Sequence, residues 1–187
     1  MITKNPKDDP GDLCDAMKWD IPDTGLTPIK VGSYTYKVRS DSGLNKLLYI
    51  RSEIDRLCSC MLSTMDKQDA SWKEPVKIFL YIHGSGNYLL HEIPDDVEFV
   101  GLNKPRMRYL SDEAPVGPDK SIRAKYREVY LKLHVSKKEL YNLILHELSH
   151  TGCNHVNWRD DDHGSDFKAF ENYLKYIAKN IKFLKDL

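Results

Sequence analysis

Ser136-Lys137-Lys138-Glu139-Leu140-Tyr141-Asn142-Leu143-Ile144-Leu145-His146-Glu147-Leu148-Ser149-His150-Thr151 is the stretch on which the reading of this chain turns. Ser136 followed three residues later by Glu139 matches a capping box and opens a helix over residues 137–151, with Gly152 as its stop. His146 and His150 are four residues apart, so on that helix they lie about 40° apart around the axis and about 6 Å apart along it. Two imidazoles so placed can reach one ion. Glu147 is the next residue around the helix and can hold a water beside the ion without becoming a protein ligand, which is the position a general base needs. The plainer reading is a chance pattern on a solvated surface. It fits poorly with the apolar frame of Leu143, Ile144, Leu145 and Leu148, which marks a helix packed into a core.

Two histidines compete for the third ligand position. On a continued helix His155 would lie about 140° around from His150 and point away from the ion, so only a break at Gly152 could return it. His163 stands at the entrance of the next predicted helix, with Gly164 beside it and Phe167 one turn on to fix that helix in the core. His163 is favoured, with His155 left as the alternative ligand or as a group beside the metal or substrate.

Outward from this stretch the elements alternate in type. Residues 1–30 are rich in Pro, Asp and Gly and read as an arm lying on the surface of a single domain over residues 31–187. Residues 33–39 read as a strand and residues 44–65 as a helix, with apolar positions at three- and four-residue intervals. The apolar run over residues 76–82 reads as a strand inside a sheet, followed by a turn at residues 83–87. Residues 97–102 read as a short strand, residues 105–120 as a loop, and residues 127–134 as a half-buried strand of period two. A last helix runs from residues 163–166 to about 185. The expected fold is a small α+β, zincin-like domain in which a three- to four-stranded sheet packs against about three helices, with the histidine helix the penultimate one.

Composition narrows the function classes. Lys+Arg and Asp+Glu both total 28, so no global basic field draws the chain to nucleic acid. Cys14, Cys58, Cys60 and Cys153 have the spacing of neither a zinc ribbon nor a disulfide framework, and they read as inert thiols in a reducing compartment. No apolar leader opens the chain and no long apolar run follows, so a soluble, intracellular protein in cytoplasm or nucleus, without membrane contact, is expected.

His146-Glu147-Leu148-Ser149-His150, followed at a distance by His163-Gly164-Ser165-Asp166-Phe167, resembles the active-site signature of the SprT-like and WLM zinc metallopeptidases, the group that includes the Spartan proteases. Val100-Gly101-Leu102-Asn103 resembles the WLM pattern as well, so the likeness covers roughly residues 76–180. It implies that His146, His150 and His163 bind one Zn²⁺, that Glu147 is the catalytic base, and that the strand at residues 127–134 borders the substrate cleft. The spacing to His163 is longer than in WLM members and more SprT-like. The family's proteolysis of proteins crosslinked to DNA implies DNA-associated substrates. The C-terminal zinc-, ubiquitin- and clamp-binding segments of larger members have no counterpart in these 187 residues. The insert Cys153-Asn154-His155 and Trp158-Arg159-Asp160-Asp161 resembles that of compact versions from large DNA viruses, algae or protists.

Tyr126 and Tyr130 are candidates to donate a hydrogen bond to an oxyanion beside the metal, against the ordinary reading of strand packing. Lys104, Arg106 and Arg108, then Arg123 and Lys125, form a basic stretch that could track a phosphate backbone, against the ordinary reading of a solvated loop. Two functions remain at this level. One is a peptidase acting on a protein or peptide substrate. The other is a non-catalytic binding or structural module stabilised by zinc, for which a base between the ligands would have no use.

Overall fold

Gly32 adopts φ +61°, a backbone conformation that side chains resist, and turns the chain between strands β1 (Thr27–Val31) and β2 (Tyr34–Val38). The computed structural model describes residues 24–64, 70–94, 100–105, 126–153 and 163–187. The first strand of this hairpin lies at the end of the segment read as an arm with little regular structure. Pro28 and the exposed Thr27, Lys30 and Val31 concealed it, because this strand buries little and lacks an apolar alternation.

Ser40 then starts helix α1 (Asp41–Thr64), its hydroxyl accepting from the backbone N–H of Gly43 at 3.2 Å. Leu47, Ile50, Ile54, Leu57 and Met61 form its buried stripe, as the helical spacing of that segment leads one to expect.

Residues 76–82 are helical, not the strand that their continuous hydrophobicity suggests. Helix α2 (Ala70–Phe79) runs into one π-helical turn, Leu80–Gly84. Val76, Phe79, Ile82 and His83 are buried, whereas Lys77 and Tyr81 are exposed, so the buried set recurs at helical intervals. An apolar run of this length fits a buried strand and a buried helix alike. The strand lies just beyond the turn expected at residues 83–87, as β3 (Tyr88–Glu92), in a stretch to which the sequence pattern assigns no element.

β4 (Gly101–Pro105) and β5 (Arg127–Leu131) complete a three-stranded sheet of order β3-β5-β4, in which β5 runs parallel to β3 and antiparallel to β4. The period-two reading of residues 127–134 holds for the buried Val129, Leu131 and Leu133 and the exposed Lys132 and His134 but fails at Tyr130, 1% exposed, because His91 and Lys104 cover its ring on the second face of β5.

Helix α3 (Lys137–Gly152) begins on the expected capping box: the Ser136 hydroxyl accepts from Glu139 N–H and the Glu139 carboxylate accepts from Ser136 N–H at 2.8 Å. It packs against α2, the sheet and the last helix, α4 (Ser165–Asn180). Gly152 sits where any added Cβ would strike the Phe170 ring, so its role is close approach of the two helices. α4 stops at Asn180 rather than near residue 185. Lys182 and Leu184 take positive φ, and the Leu184 N–H donates to the buried Glu53 carboxylate at 2.7 Å. The domain is thus α+β, with four helices and two small sheets among the described residues. None of these helices is long and apolar enough to cross a membrane.

Candidate metal centre

His146 and His150 project from α3, and His163 stands two residues before α4, so the packing of these two helices brings the three rings together. Their ring centroids are pairwise 5.1 Å apart, and their ligand atoms all lie within 4.8 Å of one another, a cluster that can hold a metal ion. His163 Nε2 and His146 Nε2 face each other at 3.3 Å. Two imidazole lone pairs in that position repel unless a proton or a cation stands between them. Phe167, one turn into α4, packs its ring at 4.7–5.1 Å from all three imidazoles and walls the cluster off.

The opposite nitrogen of His146 is held by a residue the sequence reading did not single out. His146 Nδ1 lies 2.9 Å from Glu171 Oε2, where it donates to the carboxylate and leaves Nε2 as the lone-pair nitrogen turned toward His163. Lys175 donates to the other Glu171 oxygen at 3.1 Å. Burial pushes the Glu171 carboxyl upward, but the hydrogen bonds and charges of His146 and Lys175 outweigh it and hold the group below the usual carboxylate range. Its one sequence signal is a carboxylate inside the apolar stripe of α4, one turn beyond Phe167.

Glu147 is fully buried and lies against the backbone of β4: a Cβ on Gly101 would come within 2.5 Å of Glu147 Oε1 and of Leu143 Cδ1. Asn103, two residues along the same strand face, donates to the Glu147 carbonyl at 2.6 Å and to the Thr151 hydroxyl at 2.7 Å. Arg127 of β5 donates to Asn103 Oδ1 at 3.0 Å, which fixes the amide orientation, and His83 Nε2 meets the Thr151 hydroxyl at 2.9 Å. This buried network explains the Val100-Gly101-Leu102-Asn103 pattern physically: Gly101 admits the Glu147 side chain and Asn103 clamps its backbone. In the sequence His83 reads only as the first residue of the turn at residues 83–87. Burial, then the charges of Arg127 and Arg51, hold it well below the ordinary histidine range.

Tyr130 is not beside the histidines. Its hydroxyl donates to Glu128 at 3.0 Å and its ring packs on His91 on the sheet face away from α3, so alternation along β5 removes it from the oxyanion position. Tyr126 is half-buried at the entrance to β5. Lys104 shares the far face, 3.8 Å from Glu128 and 5.6 Å over the Tyr130 ring. His155, Arg106, Arg108, Arg123 and Lys125 lie outside the described residues. The strand at residues 127–134 also cannot offer a free edge to a peptide, since β3 and β4 occupy both sides of it. β4 is the edge strand packed against α3.

Comparison with family models, curated proteins and solved structures finds no match for this chain.

Proposed function

We propose that this domain is a zinc-dependent metallopeptidase of the SprT/WLM-like kind, with a zincin-type arrangement of helix and edge strand. The observation that carries the reading is the convergence of His146, His150 and His163 around one point with Glu147 on the same helix. Three imidazoles and no thiolate among them suit a zinc site that keeps a position open for chemistry. Ligands at zinc distances of about 2.0–2.1 Å in a tetrahedral site are separated by roughly 3.3 Å, and the His146–His163 nitrogen pair is 3.3 Å apart. Zinc held there would supply Lewis acidity and lower the pKa of a water toward neutrality.

The chain's own residues supply the rest. Glu171 keeps the proton of His146 on Nδ1, so that Nε2 is the donor atom. The Glu147 carboxylate takes the proton of the attacking water and passes it to the leaving amine, and Gly101 and Asn103 fix the position from which it does so. The outer edge of β4 is where an extended polypeptide would pair, in place of the strand at residues 127–134. Burying a carboxylate between the ligands is costly and has no use in a purely structural metal site, which favours the catalytic reading over the zinc-stabilised module.

The test is a metal assay on the wild type and on Glu147→Gln, followed by digestion of casein and of a DNA-binding protein with and without single-stranded DNA. Equal zinc content in both proteins with cleavage by the wild type alone is the expected result. Cleavage by Glu147→Gln at the wild-type rate would overturn the mechanism. Melting that depends on zinc, with no cleavage by either protein, would establish the structural module instead. A response confined to the DNA-containing digest would assign DNA-associated proteins as substrates.

A further inference from the structure

His83 lies on the π-helical turn that follows α2, a widened turn of a kind that recurs at functional sites. Its Nε2 meets the Thr151 hydroxyl at 2.9 Å, and the groups around them decide which of the two gives the proton. Arg127 can only donate, so its bond to Asn103 Oδ1 makes Asn103 Nδ2 a donor, to the Glu147 carbonyl and to Thr151 Oγ1. The Glu147 carbonyl also accepts the N–H of Thr151 in the α3 ladder, and both of its lone pairs are then taken. The acceptor left for the Thr151 proton is His83 Nε2.

The rest of the His83 ring suits the same assignment. Nδ1 is buried and receives no hydrogen bond from any described residue, and the rings of Tyr88 and Phe79 stand 4.5 and 4.7 Å from the imidazole, surfaces that accept an N–H weakly. The charges of Arg127 and Arg51 oppose a second proton. All donors therefore point one way, from Arg127 through Asn103 and Thr151 to His83.

We infer that His83 is a positioning residue: a neutral imidazole with its proton on Nδ1 that accepts the Thr151 hydroxyl and so fixes the turn of α3 carrying Glu147 and His150. Its effect on turnover rests on the peptidase reading above, whereas its tautomer does not. With the Thr151 proton turned toward His83, the hydroxyl oxygen keeps a lone pair for Asn103, and the amide that holds the Glu147 carbonyl is itself held. Without an acceptor at position 83 the Thr151 hydroxyl turns back to the Glu147 carbonyl, as threonine in a helix does, and competes with Asn103 for it.

Two sets of measurements test this. Long-range proton–nitrogen NMR of the protein labelled with nitrogen-15 histidine reads the tautomer, and the signal missing from His83→Gln is that of His83. At about pH 7.5, above the ordinary histidine range, a protonated Nδ1 and a bare Nε2 are expected. A protonated Nε2 would overturn the assignment.

The second set compares three variants. His83→Leu removes the acceptor, Thr151→Val removes the hydroxyl at nearly equal volume, and His83→Gln returns an acceptor as an amide oxygen. In the zinc-loaded proteins kcat for peptide cleavage should fall by about ten-fold or more in His83→Leu and Thr151→Val, with KM and zinc content near those of the wild type, and His83→Gln should recover most of the loss. Equal losses in the Leu and Gln variants, or a wild-type kcat in Thr151→Val, would overturn the positioning role. Hydrogen exchange of the amides of residues 147–151 reads the same turn without turnover: it should be about ten-fold faster in His83→Leu and Thr151→Val than in the wild type and His83→Gln. That pattern in a protein that cuts nothing would keep the positioning role and discard the peptidase. Equal exchange in all four proteins would discard the positioning role.

Discussion

Asn103 Nδ2 donates to the backbone carbonyl of Glu147 at 2.6 Å, so a strand residue 44 positions upstream holds the helix turn that carries the proposed base. Replacing it with Ala also removes one of two partners from the Thr151 hydroxyl, which keeps His83, and one acceptor from the buried Arg127 guanidinium. Asn103→Ala should destabilise the fold by about 2 kcal/mol or more in urea unfolding. A loss under about 0.5 kcal/mol would show that the network contributes little.

Gly101→Ala should be worse for chemistry than for metal. The added methyl meets Glu147 Oε1 and Leu143 at 2.5 Å, whereas the three histidines are not in its path. Zinc content should stay near one per chain while peptide cleavage falls by at least about ten-fold, a usual cost of misplacing a reacting group. Parallel loss of both would point to general unfolding.

Glu171→Gln keeps a hydrogen-bond acceptor for His146 Nδ1 but removes the charge, and Glu171→Ala removes both. Zinc affinity, measured by competition with a chromophoric chelator, should fall by about 10- to 100-fold in the Ala variant and by less in the Gln variant. Unchanged affinity in both would show that the carboxylate does not support the ligand.

His83 supplies a pH dependence whose sign can be worked out. Its folded pKa lies well below its ordinary value of 6.5, so the unfolded chain binds the proton first as pH falls. The contribution is complete above about pH 6.5 and is lost progressively below it, by up to about 1.4 kcal/mol per pH unit. His83→Gln should flatten the wild-type fall in stability between pH 6.5 and 5. Comparing the slopes of the two proteins removes the contribution of the other histidines, and identical slopes would refute the assignment.

Cys58 is buried, and its thiol is pushed up to about 12 by desolvation and then by the charge of Asp55. It should resist iodoacetamide at pH 8 in the native protein and react on unfolding, while the partly exposed Cys60 and Cys153 react earlier. Mass spectrometry of labelled peptides reads the order directly.

The parts of the site that were legible in the sequence are those encoded over short distances. His146, Glu147 and His150 declare themselves by spacing on one helix, and the capping box places that helix to within a residue. What tertiary packing assembles was not legible. Glu171, Thr151, Arg127 and His83 acquire their roles only when α4, β5 and the π-helical turn close on α3. β3 escaped notice because His91 and Glu92 look like loop residues. Both are buried, and the N–H groups of Lys37 and Arg39 donate to them at 3.1 and 2.9 Å, partners from β2 and the residue after it that no local pattern announces. The misread residues 76–82 illustrate the opposite failure, where hydrophobicity is plain but its period is ambiguous over so short a run.

The separation between ligands and clamp also sets an order of assembly. His146 and His163 meet across a span of 17 residues, whereas the Asn103 contact with Glu147 closes a span of 44. On loop-closure entropy alone the shorter span is cheaper by about 0.8 kcal/mol, before the mixed pairing of β3, β4 and β5 is counted. A folding chain can therefore gather the three histidines from α3 and the entrance to α4 while the seat of Glu147 is still unformed. On the proposed reading, ion capture would then precede competence, and a nascent or partly unfolded copy would hold metal before its peptidase site was complete.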